Sequence, residues 1–84
     1  MVSDFVIMEA IERLVTRHYI IWTIGVTDDP EGCRQDLGNP KEWYYWNANS
    51  KTKAKKIQIY FLKKGMNGAG EIGENPNYVF IILG

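Results

Sequence analysis

Cysteine and histidine occur once each in this chain, as Cys33 and His18. A lone cysteine excludes an intramolecular disulfide, and one cysteine with one histidine makes no zinc-binding set. No cofactor motif is visible. Gly68-Ala69-Gly70 with Gly73 lacks the lysine and hydroxyl residue of a phosphate-binding loop. Apolar runs of membrane-spanning length are missing as well, since the closing run Tyr78 to Leu83 is only strand-length. A basic leader is not apparent, because the first ten residues carry Asp4 and Glu9. The expectation is a soluble, cytoplasmic protein with no metal, no cofactor and no membrane partner.

An excess of charge of one sign is also absent, with ten basic and ten acidic residues. The charge is nevertheless uneven. Between Lys41 and Lys64 seven lysines face Glu42 alone, a local +6, and the remainder carries three arginines and nine acids, −6. Such asymmetry marks either a basic face for an anionic partner or a solvated helix face, and the second reading is the commoner.

What the chain does have is apolar and aromatic content. Of its 84 residues 45% are hydrophobic and 13% aromatic, enough for one core and one domain, 1–84, and too much for disorder. Ile7, Ala10, Ile11, Leu14 and Val15 recur at helical spacing, with Ser3 as N-cap and Asp4 at the positive end of the dipole. Tyr19 to Thr27 is rich in β-branched and aromatic residues and reads as a central strand. Asp28-Asp29-Pro30 ends it and starts a short helix towards Leu37, closed by Gly38-Asn39-Pro40.

Trp43 to Trp46 reads as a second strand, with Trp43 and Tyr45 on one face and Tyr44 and Trp46 on the other. A helix capped by Ser50 follows, with Ala54, Ile57 and Phe61 inward and Leu62 at the edge of that stripe, Lys63 and Lys64 in its last turn, and Gly65 as terminator. Met66 to Pro76 reads as a glycine-rich loop before the last strand, Tyr78 to Leu83. The expected fold is α/β (α+β): a three-stranded sheet with two long helices and one short one, in the order α-β-α-β-α-β.

Thr23-Ile24-Gly25-Val26-Thr27-Asp28-Asp29-Pro30-Glu31 resembles the Tyr-Ile-Gly region of the GIY-YIG endonuclease superfamily, where a strand runs through a turn into an arginine-bearing helix. The likeness spans about residues 19–64 and implies a small α/β nuclease-like fold. It also implies two motif tyrosines, an arginine and a metal-binding glutamate. Here Thr23 stands at the tyrosine, no Gly-Ile-Tyr lies upstream, Arg34 falls one place late, and Gln58 aligns with the carboxylate. Neutral glutamine does not supply the charge a divalent cation requires. The resemblance therefore implies a catalytically silent relative, with no catalytic residues and no metal.

Other chemistry is ordinary. Asp28, Asp29, Glu31 and Asp36 lack the glycine and terminal glutamate of an EF-hand loop and suit helix capping. Nothing places His18, at a helix end, beside Cys33. Two functional readings follow. The first is a non-catalytic interaction module that binds another protein or forms a homodimer, with Ile59, Tyr60, Tyr44 and Trp46 at the interface. The alternative is weak, salt-labile nucleic-acid binding by Lys51, Lys53, Lys55, Lys56 and Arg34, with Trp43 or Trp46 stacking on a base.

Overall fold

A computed structural model describes residues 4–83, so the N-cap expected at Ser3 lies outside the described residues. The first helix, α1 (Asp4–Val15), buries Ile7, Ile11 and Val15, one residue per turn. Ala10 is only half-buried and Leu14 is exposed, so the inward stripe is narrower than the spacing predicts. Thr16 and Arg17 adopt left-handed conformations that end α1. His18 therefore precedes a 3-10 turn, Tyr19–Ile21, rather than closing the helix.

The first strand, β1 (Trp22–Thr27), begins three residues later than Tyr19, because the segment 19–21 is coiled into that turn. The Asn67 side-chain amide donates to the Ile20 carbonyl across it, at 3.0 Å. The short helix α2 (Pro30–Asp36) starts as its sequence implies: the Asp29 carboxylate accepts from the Gly32 N–H, and Pro30 needs no partner for a missing donor. Next come β2 (Trp43–Asn47) and α3 (Lys51–Lys64). The Ser50 hydroxyl accepts from the Lys53 N–H at 3.0 Å, and Gly65 closes α3 in the left-handed region. Leu62 is exposed, so the inner stripe of α3 is Ala54, Ile57, Gln58 and Phe61.

The glycine-rich segment is not a loop. Asn67–Ile72 forms a strand, β3, and Tyr78–Leu83 forms β4, so the sheet has four strands in the order β2-β4-β1-β3. Its strand directions are mixed: β3 runs parallel to β1, whereas β4 is antiparallel to both β1 and β2. The ladder between β1 and β3 shifts register at Ile24/Gly25, where Ala69 bulges out. Gln58, buried on α3, donates its amide to the Gly70 carbonyl at that bulge. An edge strand with little side chain of its own is thus tied to the helix above it by a buried amide.

The two long helices share one face of the sheet. Their core comprises Ile7, Ile11, Val15, Trp22, Ile24, Val26, Ala48, Ala54, Ile57, Phe61, Met66, Val79 and Ile81, with Tyr44 and Trp46 packed against it. The short α2 lies on the other face, where the Cys33 thiol is hydrogen-bonded to Thr27. Both parallel crossovers, β1 to β2 through α2 and β2 to β3 through α3, then have the same hand, because they travel in opposite directions on opposite faces.

Candidate functional site

The face that α2 occupies is the less completely covered one. Residues directly opposite one another in adjacent strands share a face, and the register places Trp43, Tyr45, Tyr78, Phe80, Ile82, Thr23 and Gly25 together there. Phe80 is fully buried, with its ring stacked on Trp43 at 4.9 Å and laid across Gly25. A Cβ at Gly25 would stand 2.5 Å from the Phe80 ring and 2.9 Å from the Ala69 methyl, so only glycine fits under that ring. Around it, Trp43, Tyr78 and Ile82 are half-buried and Tyr45 is 45% exposed. Tyr45 meets Tyr78 edge-on at 6.0 Å. None of the strand residues on this face carries a charge.

Strand β2 belongs to both surfaces, and none of its five residues is buried. Tyr44 and Trp46 point to the long-helix side, where Tyr44 lies 6.2 Å from the Trp22 ring. The Tyr44 hydroxyl donates to Glu42 at 2.7 Å, and that carboxylate, followed by desolvation, raises the phenol pKa. Of the interface candidates on α3, Ile59 is 42% exposed with no role in the core. Tyr60 is half-exposed but occupied, edge-on to Phe61 at 5.0 Å and beneath the Lys64 ammonium at 5.4 Å.

The basic candidates fall on the other side of the sheet from Trp43. Lys51, Lys53, Lys55 and Lys56 all sit on α3, and two are committed: Lys55 pairs with Glu71 at 3.3 Å and Lys56 with Asp4 at 3.5 Å. Trp46 shares their side of the sheet but rests against the core. Arg34 is exposed on α2 and donates to the Pro40 carbonyl at 3.4 Å. The structure therefore does not bring the lysines, Arg34 and Trp43 onto one surface.

The positions that the nuclease resemblance singles out are also separated. Thr23 lies on the α2 face, whereas Gln58 reaches down from α3 on the opposite one. His18 is exposed before β1 and Cys33 is buried beyond its far end. Burial, reinforced by Asp36 and Asp29, raises the Cys33 thiol pKa, and the Thr27 hydrogen bond opposes this in part. Such a thiol is protonated at neutral pH, a poor state for a nucleophile. The acidic residues have structural duties: Asp29 caps α2, and Asp28 accepts from the Glu74 N–H and so ties down the loop before β4. Among the described residues no group of three His, Cys, Asp or Glu is arranged to hold a metal ion. No helix among them is long and apolar enough to cross a membrane.

Sequence reasoning did not identify Tyr78, Phe80 and Ile82 as neighbours of Trp43 and Tyr45. Alternation within 78–83 carried the signal, but only the strand order joins it to β2. Comparison with protein-family models, with curated proteins and with solved structures gives no match.

Proposed function

We propose that this chain is a small non-catalytic interaction module that binds a protein surface, in the simplest case that of a second copy. One observation carries the reading. All four aromatic side chains of β2 remain partly exposed in a domain too small to leave so much apolar surface in water without a use for it. Tyrosine and tryptophan are also the residues that concentrate binding energy at interfaces. Tyr44, Tyr45 and Trp46 on β2 are the candidate contacts, and exposed Ile59 beside Tyr60 on α3 is the competing surface. Descent from a GIY-YIG nuclease that has lost its chemistry accords with Thr23 and Gln58 standing where a tyrosine and a glutamate would be needed.

Sedimentation equilibrium across a range of protein concentrations, with and without a single-stranded oligonucleotide, tests the reading. The expected result is a mass that rises with protein concentration and ignores the oligonucleotide at moderate salt. A strictly monomeric mass at high micromolar protein contradicts it. So does oligonucleotide binding that is tight, persists at high salt and depends on Lys51 and Lys53.

A further inference from the structure

The two edges of the sheet are built differently. At β3 the edge is interrupted by a bulge and carries Gly68, Gly70 and the charged Glu71. These are the devices by which proteins discourage a second strand from docking. At β2 there are none: Trp43-Tyr44-Tyr45-Trp46-Asn47 has no charge, proline, glycine or bulge, and every residue but Asn47 has high strand propensity.

The direction of its backbone groups follows from the ladder to β4. The Leu83 N–H donates to the Glu42 carbonyl at 3.3 Å, and the Ala48 N–H donates to the Asn77 carbonyl at 2.9 Å. In an antiparallel pair hydrogen-bonded residues alternate, so positions 42, 44, 46 and 48 face β4. The amides and carbonyls of Trp43, Tyr45 and Asn47 therefore point away from the sheet.

We propose that β2 pairs antiparallel with β2 of a second copy, with Tyr45 at the two-fold axis, to form one continuous eight-stranded sheet. The proposal rests on the interaction-module reading and specifies its partner and geometry. A two-fold axis normal to a sheet demands antiparallel strands. Centred on Tyr45, the register sets every outward backbone group against one of the opposite kind. On the long-helix face Tyr44 meets the partner's Trp46, and Trp46 meets the partner's Tyr44. On the other face Tyr45 meets the partner's Tyr45, and Trp43 meets the partner's Asn47.

Aromatic pairs of this kind are the favoured cross-strand neighbours. Charge agrees with the direction. Glu42 precedes the strand, and Lys51 and Lys53 follow it. Antiparallel pairing brings the Lys41-Glu42 end of each copy to the end that leads into those lysines, whereas a parallel partner would set Glu42 beside Glu42 and Lys41 beside Lys41. Because α3 lies over β1 and β4, Ile59 stays outside this contact.

The test uses Tyr45→Pro. The Tyr45 N–H makes no bond within the chain, so its loss spares the ladder to β4 and removes one edge donor from each copy. Parent protein is expected to approach twice the 9.7 kDa chain mass with rising concentration. The amide protons of Trp43, Tyr45 and Asn47 should gain exchange protection over the same range. Tyr45→Pro is expected to weaken association roughly 100-fold, from two lost hydrogen bonds and a blocked approach, with Ile59→Lys unchanged. Should the proline variant not fold, Tyr45→Lys with the same readouts decides. Association that survives both Tyr45 variants and is abolished by Ile59→Lys overturns edge pairing and leaves the interaction module standing on α3. Association without concentration-dependent protection of the three amides also overturns edge pairing. A parent that stays monomeric overturns both.

Discussion

The two faces of the sheet solve the same packing problem with different residues. Under α1 and α3 the strands present Ile24, Val26, Val79 and Ile81, all fully buried, with Trp22, Tyr44 and Trp46 flanking them. Under α2 they present Trp43, Tyr45, Tyr78 and Phe80, of which only Phe80 is fully buried. Two long helices supply a wide apolar stripe, so branched residues are enough to fill the space between layers. A seven-residue helix that buries only Cys33 supplies almost no stripe, and large rings must cover the sheet themselves. The first face accounts for stability. The second leaves aromatic surface exposed at Tyr45.

The largest expected effect lies on the first face. Phe61 is fully buried in the core between α3 and the sheet, with Tyr19 at 6.2 Å and Tyr60 at 5.0 Å. Phe61→Ala should destabilise by about 3–5 kcal/mol, against about 5–10 kcal/mol for a whole domain of this size. Urea titration followed by far-UV circular dichroism should show a variant that is largely unfolded or has a midpoint far below that of the parent. A shift under about 1 kcal/mol would mean that the core repacks around the gap and that the two faces differ less than their burial suggests.

Gly25 tests the second face. A methyl group there has to displace the Phe80 ring from its place under Trp43 or push Ala69 and the β3 bulge outward. Overpacking of this kind costs about 1–3 kcal/mol, so Gly25→Ala should lower the urea midpoint clearly, though less than Phe61→Ala. Adding Phe80→Leu should recover part of the loss by making room. If the double variant is no better than the sum of the single ones, the ring is not what limits the space.

How much of this was legible depended on whether the signal was local. Ser50, Gly65 and the Asp29-Pro30 start of α2 act within four residues of themselves, and each does what its residue type implies. The split of β2 into a Trp43/Tyr45 face and a Tyr44/Trp46 face needs only the period of a strand, and it holds in the structure. The strand β3 was not legible, because Asn-Gly-Ala-Gly-Glu-Ile lacks alternation and is held by β1 and by Gln58 from elsewhere in the chain. Nor was the order of the strands, since the last strand inserts between β1 and β2. The candidate site inherits that split. Its aromatic residues could be named from sequence, but the edge position of β2 follows only from where β4 goes.

The smallest stability effect is expected at Tyr45, and it is the most informative about the contrast between the faces. Tyr45 is an aromatic residue in the middle of a strand, which in a core would make truncation severe. Here it is 45% exposed, and its ring neighbours are Tyr78 at 6.0 Å and Trp43 at 6.3 Å. Cross-strand aromatic contacts at such a site are worth about 0.2–1 kcal/mol, so Tyr45→Ala should lower stability by less than about 1 kcal/mol, comparable to other surface changes. The measurement belongs at the lowest workable protein concentration, where the proposed association is weakest and adds least to the loss of stability. Repeated at high protein concentration, the same substitution should cost more if the parent pairs through β2 as proposed, since the parent would then gain stability by association and the variant less. A large loss at low concentration would instead make Tyr45 part of the monomer's own packing. The aromatic face would then be a second core, and the surface left to offer a partner would be Ile59 on α3 with the partly exposed Tyr44 and Trp46.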